Sequence, residues 1–247
     1  MKQYIITPAM GKRLIGMAIV NHPDIQRVLV KGSLVIIGGS TNGYVAEEVL
    51  KSIGQSEGFS KVGFRRGLVA PTGFDVPKID FPGDVFIQDG ELVKGRTIFD
   101  VVEELDVGDM VVKGANAFDS RGQAAVHIGG STGGTILAAL TAIIGRRVGL
   151  LVPVGLEKRV FEDVNVIAAR CNAPGASGPR LMPMPCKTFT EIDAIELLTG
   201  AEAFLISAGG VYGAEGSVRL GISGDEGEMA AGGGLIESVA NEPPCEV

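Results

Sequence analysis

"VIIGGSTNGYVAEEVL" occupies residues 35–50 and "VHIGGSTGGTILAALT" occupies residues 126–141. Both place Gly-Gly-Ser-Thr between a short apolar run and a stretch with helical spacing, so the chain builds one kind of strand-turn-helix corner twice. A helix N-terminus carries unpaired backbone N–H groups and roughly half a positive charge. Glycines ahead of it let an anion approach those donors, and Ser or Thr hydroxyls add more. Gly38, Gly39, Ser40, Thr41 and Asn42 are therefore candidate ligand contacts. So are Gly129, Gly130, Ser131, Thr132, Gly133, Gly134 and Thr135. Neither corner ends in Gly-Lys-Ser/Thr and neither fits GxGxxG, which excludes a P-loop and a dinucleotide fingerprint. Tight strand–helix packing, with the Ser and Thr as caps, would write the same letters.

Outward from the corners, the pattern alternates strand and helix. Residues 8–21 carry Met10, Leu14 and Ile15 at helical intervals, and Pro23 opens a second helix to about Val30. Residues 34–37 read as a strand covered on both faces, followed by a helix from near Gly43. Residues 55–84 hold several prolines and glycines and read as loop with one short strand. "VFIQDGELVKG" signals a hairpin turning at Asp89-Gly90. A helix capped by Thr97, strands in "DMVVKGANAFD" and "GQAAVHI", a helix over 135–144 and the strand "VGLLVPV" follow. The expected fold is α/β: a three-layer, Rossmann-like parallel sheet over residues 1–157. Residues 158–247 are expected to form a smaller α+β, ferredoxin-like lobe. It would comprise a strand in "VNVIAARC", the connector "NAPGASGPRLMPMPC", a helix capped by Thr190, two strands, and a last helix weakened by three glycines at 232–234.

Composition narrows the functions. The chain has 247 residues and a formal charge of -7, which disfavours a nucleic-acid partner. No apolar run reaches the roughly 18 residues that span a bilayer, and "MKQYIITPAMGKRLIG" lacks a signal-peptide core, so a cytoplasmic protein without a membrane partner is expected. Cys171, Cys186 and Cys245 form no CxxC or Cys/His cluster and read as reduced thiols. His22 and His127 are too far apart for a histidine metal site. Asp75, Asp80 and Asp84 fit no cation loop. No metal and no cofactor are expected, and a homo-oligomer is the ordinary quaternary state.

The order of motifs resembles the ribose-5-phosphate isomerase / glucosamine-6-phosphate deaminase / CoA-transferase superfamily. "LVKGSLVIIGGSTNGYVAEEVL" looks like its opening strand, phosphate loop and helix. "GDMVVKGANAFDSRGQAAVHIGGSTGGTI" resembles the isomerase's Asp-Gly-Ala-Asp loop and the lysine-glycine turn after it. "GLLVPVGLEKRV" is similar to the next strand and its Asp-Glu-Ser-Lys segment, which makes Lys158 the counterpart of a phosphate-neutralising lysine. The departures decide against one activity. Lys113, Gly114, Ala115 and Asn116 stand where the isomerase has its Asp-Gly-Ala-Asp loop. Ile128, with His127 beside it, replaces the lysine, and Leu137 falls where the basic glutamate belongs. Moving a proton between neighbouring carbons needs that carboxylate, so ribose-5-phosphate isomerase activity is rejected.

What remains is a small anionic or phosphorylated ligand held at the two corners and Lys158. Lys113, Asn116, Asp119 and His127 surround the reacting centre, in isomerase-like, lyase-like or hydrolytic chemistry. Lys113 can serve as a phosphate contact, a base or a Schiff-base amine. Whether the chain is an enzyme stays open. The alternatives are a non-catalytic ligand sensor on the same fold, and a CoA-ester or folate-related activity in which Glu157 would be the weak counterpart of a transferase nucleophile.

Overall fold

The structure is a computed structural model and describes residues 1–66, 69–70, 73–75 and 80–244. Cys245 and part of the loop expected over 55–84 lie outside these residues.

Strand β1 (Lys2–Ile6) leads into helix α1 (Pro8–Val20), capped by the Thr7 side chain, and α2 (Pro23–Val30). Strand β2 (Ser33–Ile36) is buried throughout, as its unbroken apolar run requires. Helix α3 (Ser40–Ser52) begins at the serine of the corner, three residues before Gly43. The hairpin forms as expected from β3 (Val85–Gln88) and β4 (Glu91–Val93). Asp89 and Gly90 both adopt positive φ, 49° and 81°, the twist that two-residue hairpin turns need. Thr97 and Asp100 form a capping box on the short α4 (Ile98–Val101), which passes into a 3-10 turn.

Next come β5 (Met110–Val112), β6 (Ala117–Phe118), β7 (Gln123–Ile128), α5 (Gly134–Gly145) and β8 (Gly149–Pro153). A 3-10 turn (Leu156–Lys158) and α6 (Val164–Cys171) lead to the long β9 (Arg180–Phe189). Helix α7 (Glu191–Thr199), β10 (Glu202–Ala208), β11 (Val218–Ser223) and α8 (Glu226–Ser238) close the described chain.

Eight strands form one sheet in the order β4-β3-β2-β5-β8-β9-β7-β6. Its middle is parallel from β2 through β5 and β8 to β9, and both ends are antiparallel. The sheet is therefore mixed, compatible with a Rossmann-like α/β fold but not the all-parallel sheet expected. The alternation along β2 sorts the core. Leu34 and Ile36 join α1, α3 and α7 in one apolar cluster, whereas Val35 and Ile37 join α4 and α5 in another. Helix α1 comes close to α3 at Gly16, where a Cβ would sit 3.0 Å from the Tyr44 carbonyl oxygen.

The C-terminal part departs most from expectation. "VNVIAARC" is helix α6 rather than a strand. Asp163 caps it by accepting from Asn165 N–H at 2.8 Å, and Val164 and Ala168, one turn apart, pack on Ala125 and Leu181. The proline-rich connector becomes strand β9 from Arg180 onward. Along residues 180–187 β9 pairs only with β7, and with β8 only at Thr188 and Phe189. Pro183 therefore sits where the strand has a single neighbour, and Pro185 lies in a register shift, the places where a residue without N–H is tolerated.

The ferredoxin-like grouping does not form, because β9 enters the large sheet. Instead β10 and β11 take in the N-terminal β1 as a three-stranded antiparallel sheet, β1-β11-β10. Helix α8 survives its three glycines because it lies close to this sheet. A Cβ on Gly232 would be 3.4 Å from Ile222, and one on Gly233 would be 2.9 Å from the Tyr4 hydroxyl. Among the described residues, no helix is long and apolar enough to cross a membrane.

Candidate functional site

Because β2, β5, β8 and β9 are parallel, their carboxyl ends lie on one edge, and four segments leave it side by side. These begin at Gly38, Lys113, Val154 and Thr190. The chain leaving β2 turns into α3 on one face, while the chain leaving β5 returns through α5, whose Ala139, Ala142 and Ile143 lie on the other. Ligand crevices in open α/β sheets form where neighbouring strands send their chains to opposite faces.

Asn42 spans that crevice. Its side-chain amide donates to the Ile37 carbonyl at 2.7 Å and to the Val112 carbonyl at 3.0 Å, tying β2 to β5. Its Oδ1 and the Thr41 hydroxyl are buried without a hydrogen-bond partner among the described residues. Buried polar atoms are normally satisfied, so two orphans on one helical turn are a signature of an unfilled role. Among the described residues no side chain caps α3, which leaves the N–H groups of its first turn for a ligand. Gly38 and Gly39 offer none: their N–H groups donate to Asp84 Oδ1 at 2.9 Å and to the Phe64 carbonyl at 3.0 Å.

Lys113 enters the crevice from β5. It is 9% exposed, and among the described residues its amine makes one hydrogen bond, to the Gly114 carbonyl at 3.2 Å. Asn42 Oδ1 faces the same residue, 3.8 Å from where a Gly114 Cβ would lie. Burial pushes the Lys113 amine down to about 8. Asp84 opposes that shift, and Lys158 and Arg66 add to it. Lys158, in the 3-10 turn after β8, thus lies close enough to act on Lys113.

Farther along the same edge, Glu191 is buried at the start of α7 and accepts from the Leu156 N–H at 3.0 Å. Lys12 of α1 donates to the Pro8 carbonyl at 3.1 Å and stands 3.7 Å from Glu157. Burial, and then the charge of Glu157, push the Glu191 carboxyl up to about 7. The folded chain therefore holds a proton that the unfolded chain releases near 4.5, and stability falls as pH rises between these values. Glu191→Gln is expected to remove a slope worth up to about 3 kcal/mol across that window. Urea midpoints at pH 5, 6, 7 and 8 test it, and parallel profiles for variant and parent would refute it.

The other sequence candidates have structural employment. Asp119 is buried and accepts from the Arg121, Gln123 and Val164 N–H groups at 2.9–3.3 Å, and from the Arg121 guanidinium at 3.1 Å. Burial pushes its carboxyl up, but these bonds outweigh burial and leave it below the ordinary range. Asn116 accepts from the His127 N–H at 2.9 Å, and His127 is exposed.

The second corner follows antiparallel β7 and is open. Gly129, Gly130, Ser131 and Thr132 are exposed, and the carbonyls of Gly129 and Gly130 accept from Arg180 at 3.0 and 2.8 Å. Gly133 takes φ 79° and leads through Gly134 and the half-buried Thr135 into α5. Four shared letters thus make two different corners, and only the first carries orphaned buried atoms. Asp84 serves the Arg66 guanidinium and two backbone N–H groups. No group of His, Cys, Asp and Glu suited to a metal occurs among the described residues.

Sequence reasoning missed Lys12, Arg66 and Glu191. The one signal was a Lys-Arg pair inside an otherwise apolar helix at 12–13. Glu191 reads as any acidic residue in a first helical turn. No protein-family model, curated protein or solved structure matches the chain.

Proposed function

We propose that the chain binds a small phosphorylated metabolite at the N-terminus of α3 and acts on it there, with Lys113 as the central group. The observation that carries this reading is the burial of Lys113 in the crevice between β2 and β5. A lysine is almost never buried without a partner charge. Among the described residues no carboxylate stands within ion-pair distance of this one. A ligand anion would supply that charge, receive the first-turn N–H groups of α3, and engage the Thr41 hydroxyl. Lys158 supplies a further cation near the same point.

The engagement of Asp119 and Asn116 in local structure favours a second reading, a sensor that binds the same ligand without turnover. A thermal-shift screen of sugar phosphates, nucleotides, CoA esters and folates, with sulfate as the control anion, tests the binding common to both. A ligand at 100 times its dissociation constant stabilises by about 2.7 kcal/mol, a shift of roughly 5–10 °C for a chain of this size. The shift is expected to collapse in Thr41→Val and Lys113→Met. If no anion moves the transition, or if both variants respond like the parent, the cradle is not an anion site.

A further inference from the structure

The Lys113 amine is held in place rather than left free to follow an anion. Among the described residues its one hydrogen bond goes to the carbonyl of its own neighbour, Gly114, at 3.2 Å, and it contributes to no ion pair there. An amine kept for charge alone would be expected on the exposed rim, where a long side chain can reach an anion while staying hydrated. This one is held inside the crevice on a strand end, with its position set by the β5–β8 ladder: the Lys113 N–H donates to the Leu151 carbonyl at 3.0 Å. Asn42 Oδ1, an acceptor with no partner among the described residues, lies 3.8 Å from where a Cβ on the next residue, Gly114, would be, and one residue earlier on α3 is the Thr41 hydroxyl, equally buried and unpartnered.

We infer that Lys113 is a Schiff-base nucleophile, and that the ligand is a small phosphorylated aldehyde or ketone whose phosphate sits on the first turn of α3. The inference rests on the anion reading above for the phosphate half alone. The neutral amine attacks the carbonyl carbon, forming a C–N bond while the carbonyl oxygen takes up a proton. Loss of that oxygen as water, carrying both amine hydrogens, leaves the C=N bond, with no oxidation or reduction. The Thr41 hydroxyl and Asn42 Oδ1 are a donor and an acceptor placed to receive polar groups of such a ligand.

Desolvation makes the required species available. An amine titrating at about 8 is roughly one-quarter neutral at pH 7.5, whereas an ordinary lysine is neutral about one time in a thousand. Lowering an amine's proton affinity by burial is a recognised way to activate lysine for this chemistry.

The experiment uses glyceraldehyde 3-phosphate as probe, glyceraldehyde as its unphosphorylated partner, and sodium borohydride to reduce any imine to a stable amine. Peptide mapping by mass spectrometry then locates the adduct. Lys113 is expected to be modified at least tenfold faster than the exposed Lys31 and Lys94, with a rate that climbs through pH 8. Sulfate should slow labelling by the phosphorylated probe, and Lys113→Arg, which keeps the charge, should form no adduct at residue 113. Equal labelling by both probes with no effect of sulfate would keep the nucleophile and remove the anion cradle. Protection of the fold by the phosphorylated probe without an adduct at Lys113 would keep the cradle and overturn this inference. Labelling no faster than at Lys31 would also overturn it.

Discussion

Replacing Lys113 with methionine raises the stability of the folded protein at pH 7 by about 1–3 kcal/mol, while removing ligand binding and the reducible adduct. An apolar side chain of similar volume needs no solvation, and exchanging buried charge for well-packed apolar groups is often stabilising by about 1–4 kcal/mol. Linkage sets the same scale. The amine titrates at about 8 when folded and near 10.5 when unfolded, and that gap is worth about 3 kcal/mol. The sign follows from proton counting. Between those values the unfolded chain binds more protons, so the parent gains stability as pH rises from 8 to 10.5. Its penalty is complete below 8. The advantage of Lys113→Met should thus be full at pH 7 and shrink towards pH 10.5. In melting temperature it amounts to roughly 2–12 °C. Thermal unfolding of both proteins from pH 7 to pH 10 checks it; a variant less stable than the parent at pH 7 would mean that the buried amine has a stabilising partner.

Asp84→Ala is expected to do the opposite, and by more. The Asp84 carboxylate is buried at the turn into β3 and accepts from the Gly38 N–H at 2.9 Å and the Ile98 N–H at 2.8 Å. It also takes both arms of the Arg66 guanidinium at 3.2 Å. Arg66 in turn lies over the Phe81 ring at 4.2 Å. Deleting the carboxylate strands two buried N–H groups and a half-buried cation at once, and breaking such a pair from one side costs about 3–5 kcal/mol. The melting temperature should fall by roughly 6–20 °C. Because Gly38 opens the first corner, anion binding should weaken even below the transition. Asp84→Asn keeps one acceptor and should lose less. A loss under about 1 kcal/mol for Asp84→Ala in urea titration would show that the corner is held by something other than this carboxylate.

The two variants together separate the contributions at the crevice. Lys113 is a cost carried by the folded state, as expected of a group kept for chemistry rather than for the fold. Asp84 is the reverse, a buried charge that holds a turn and touches no ligand in this reading.

Much of the architecture could be read from local signals. The helix starts at Pro8 and Pro23, the capping boxes at Thr97 and Thr190, and the Asp89-Gly90 turn are contacts between residues a few positions apart. Their energies do not depend on what the rest of the chain does. The burial of β2 on both faces was equally legible, because an unbroken apolar run has no solvent side to offer. Helix α6 was not. Its Val and Ile content favours a strand, and only the docking of Val164 and Ala168 on Ala125 and Leu181 gives the helical spacing a surface to cover.

The amino-acid sequence by itself determined an α/β chain with strand-turn-helix corners, its helix caps and hairpin, and Lys113 as a residue to watch. Tertiary structure decided which corner matters. The letters Gly-Gly-Ser-Thr are the same at residues 38–41 and 129–132, but one corner follows a parallel strand in the middle of the sheet and is buried at Thr41, whereas the other follows an antiparallel strand and stands exposed. Tertiary structure also placed β9, prolines included, in the large sheet, and drew β1 from the other end of the chain onto β11. The reason is common to all three. Burial and desolvation are set by neighbours distant in sequence, and these decide whether an amine stays an ordinary surface cation or titrates at about 8, and whether a glycine turn is a binding edge or a loop.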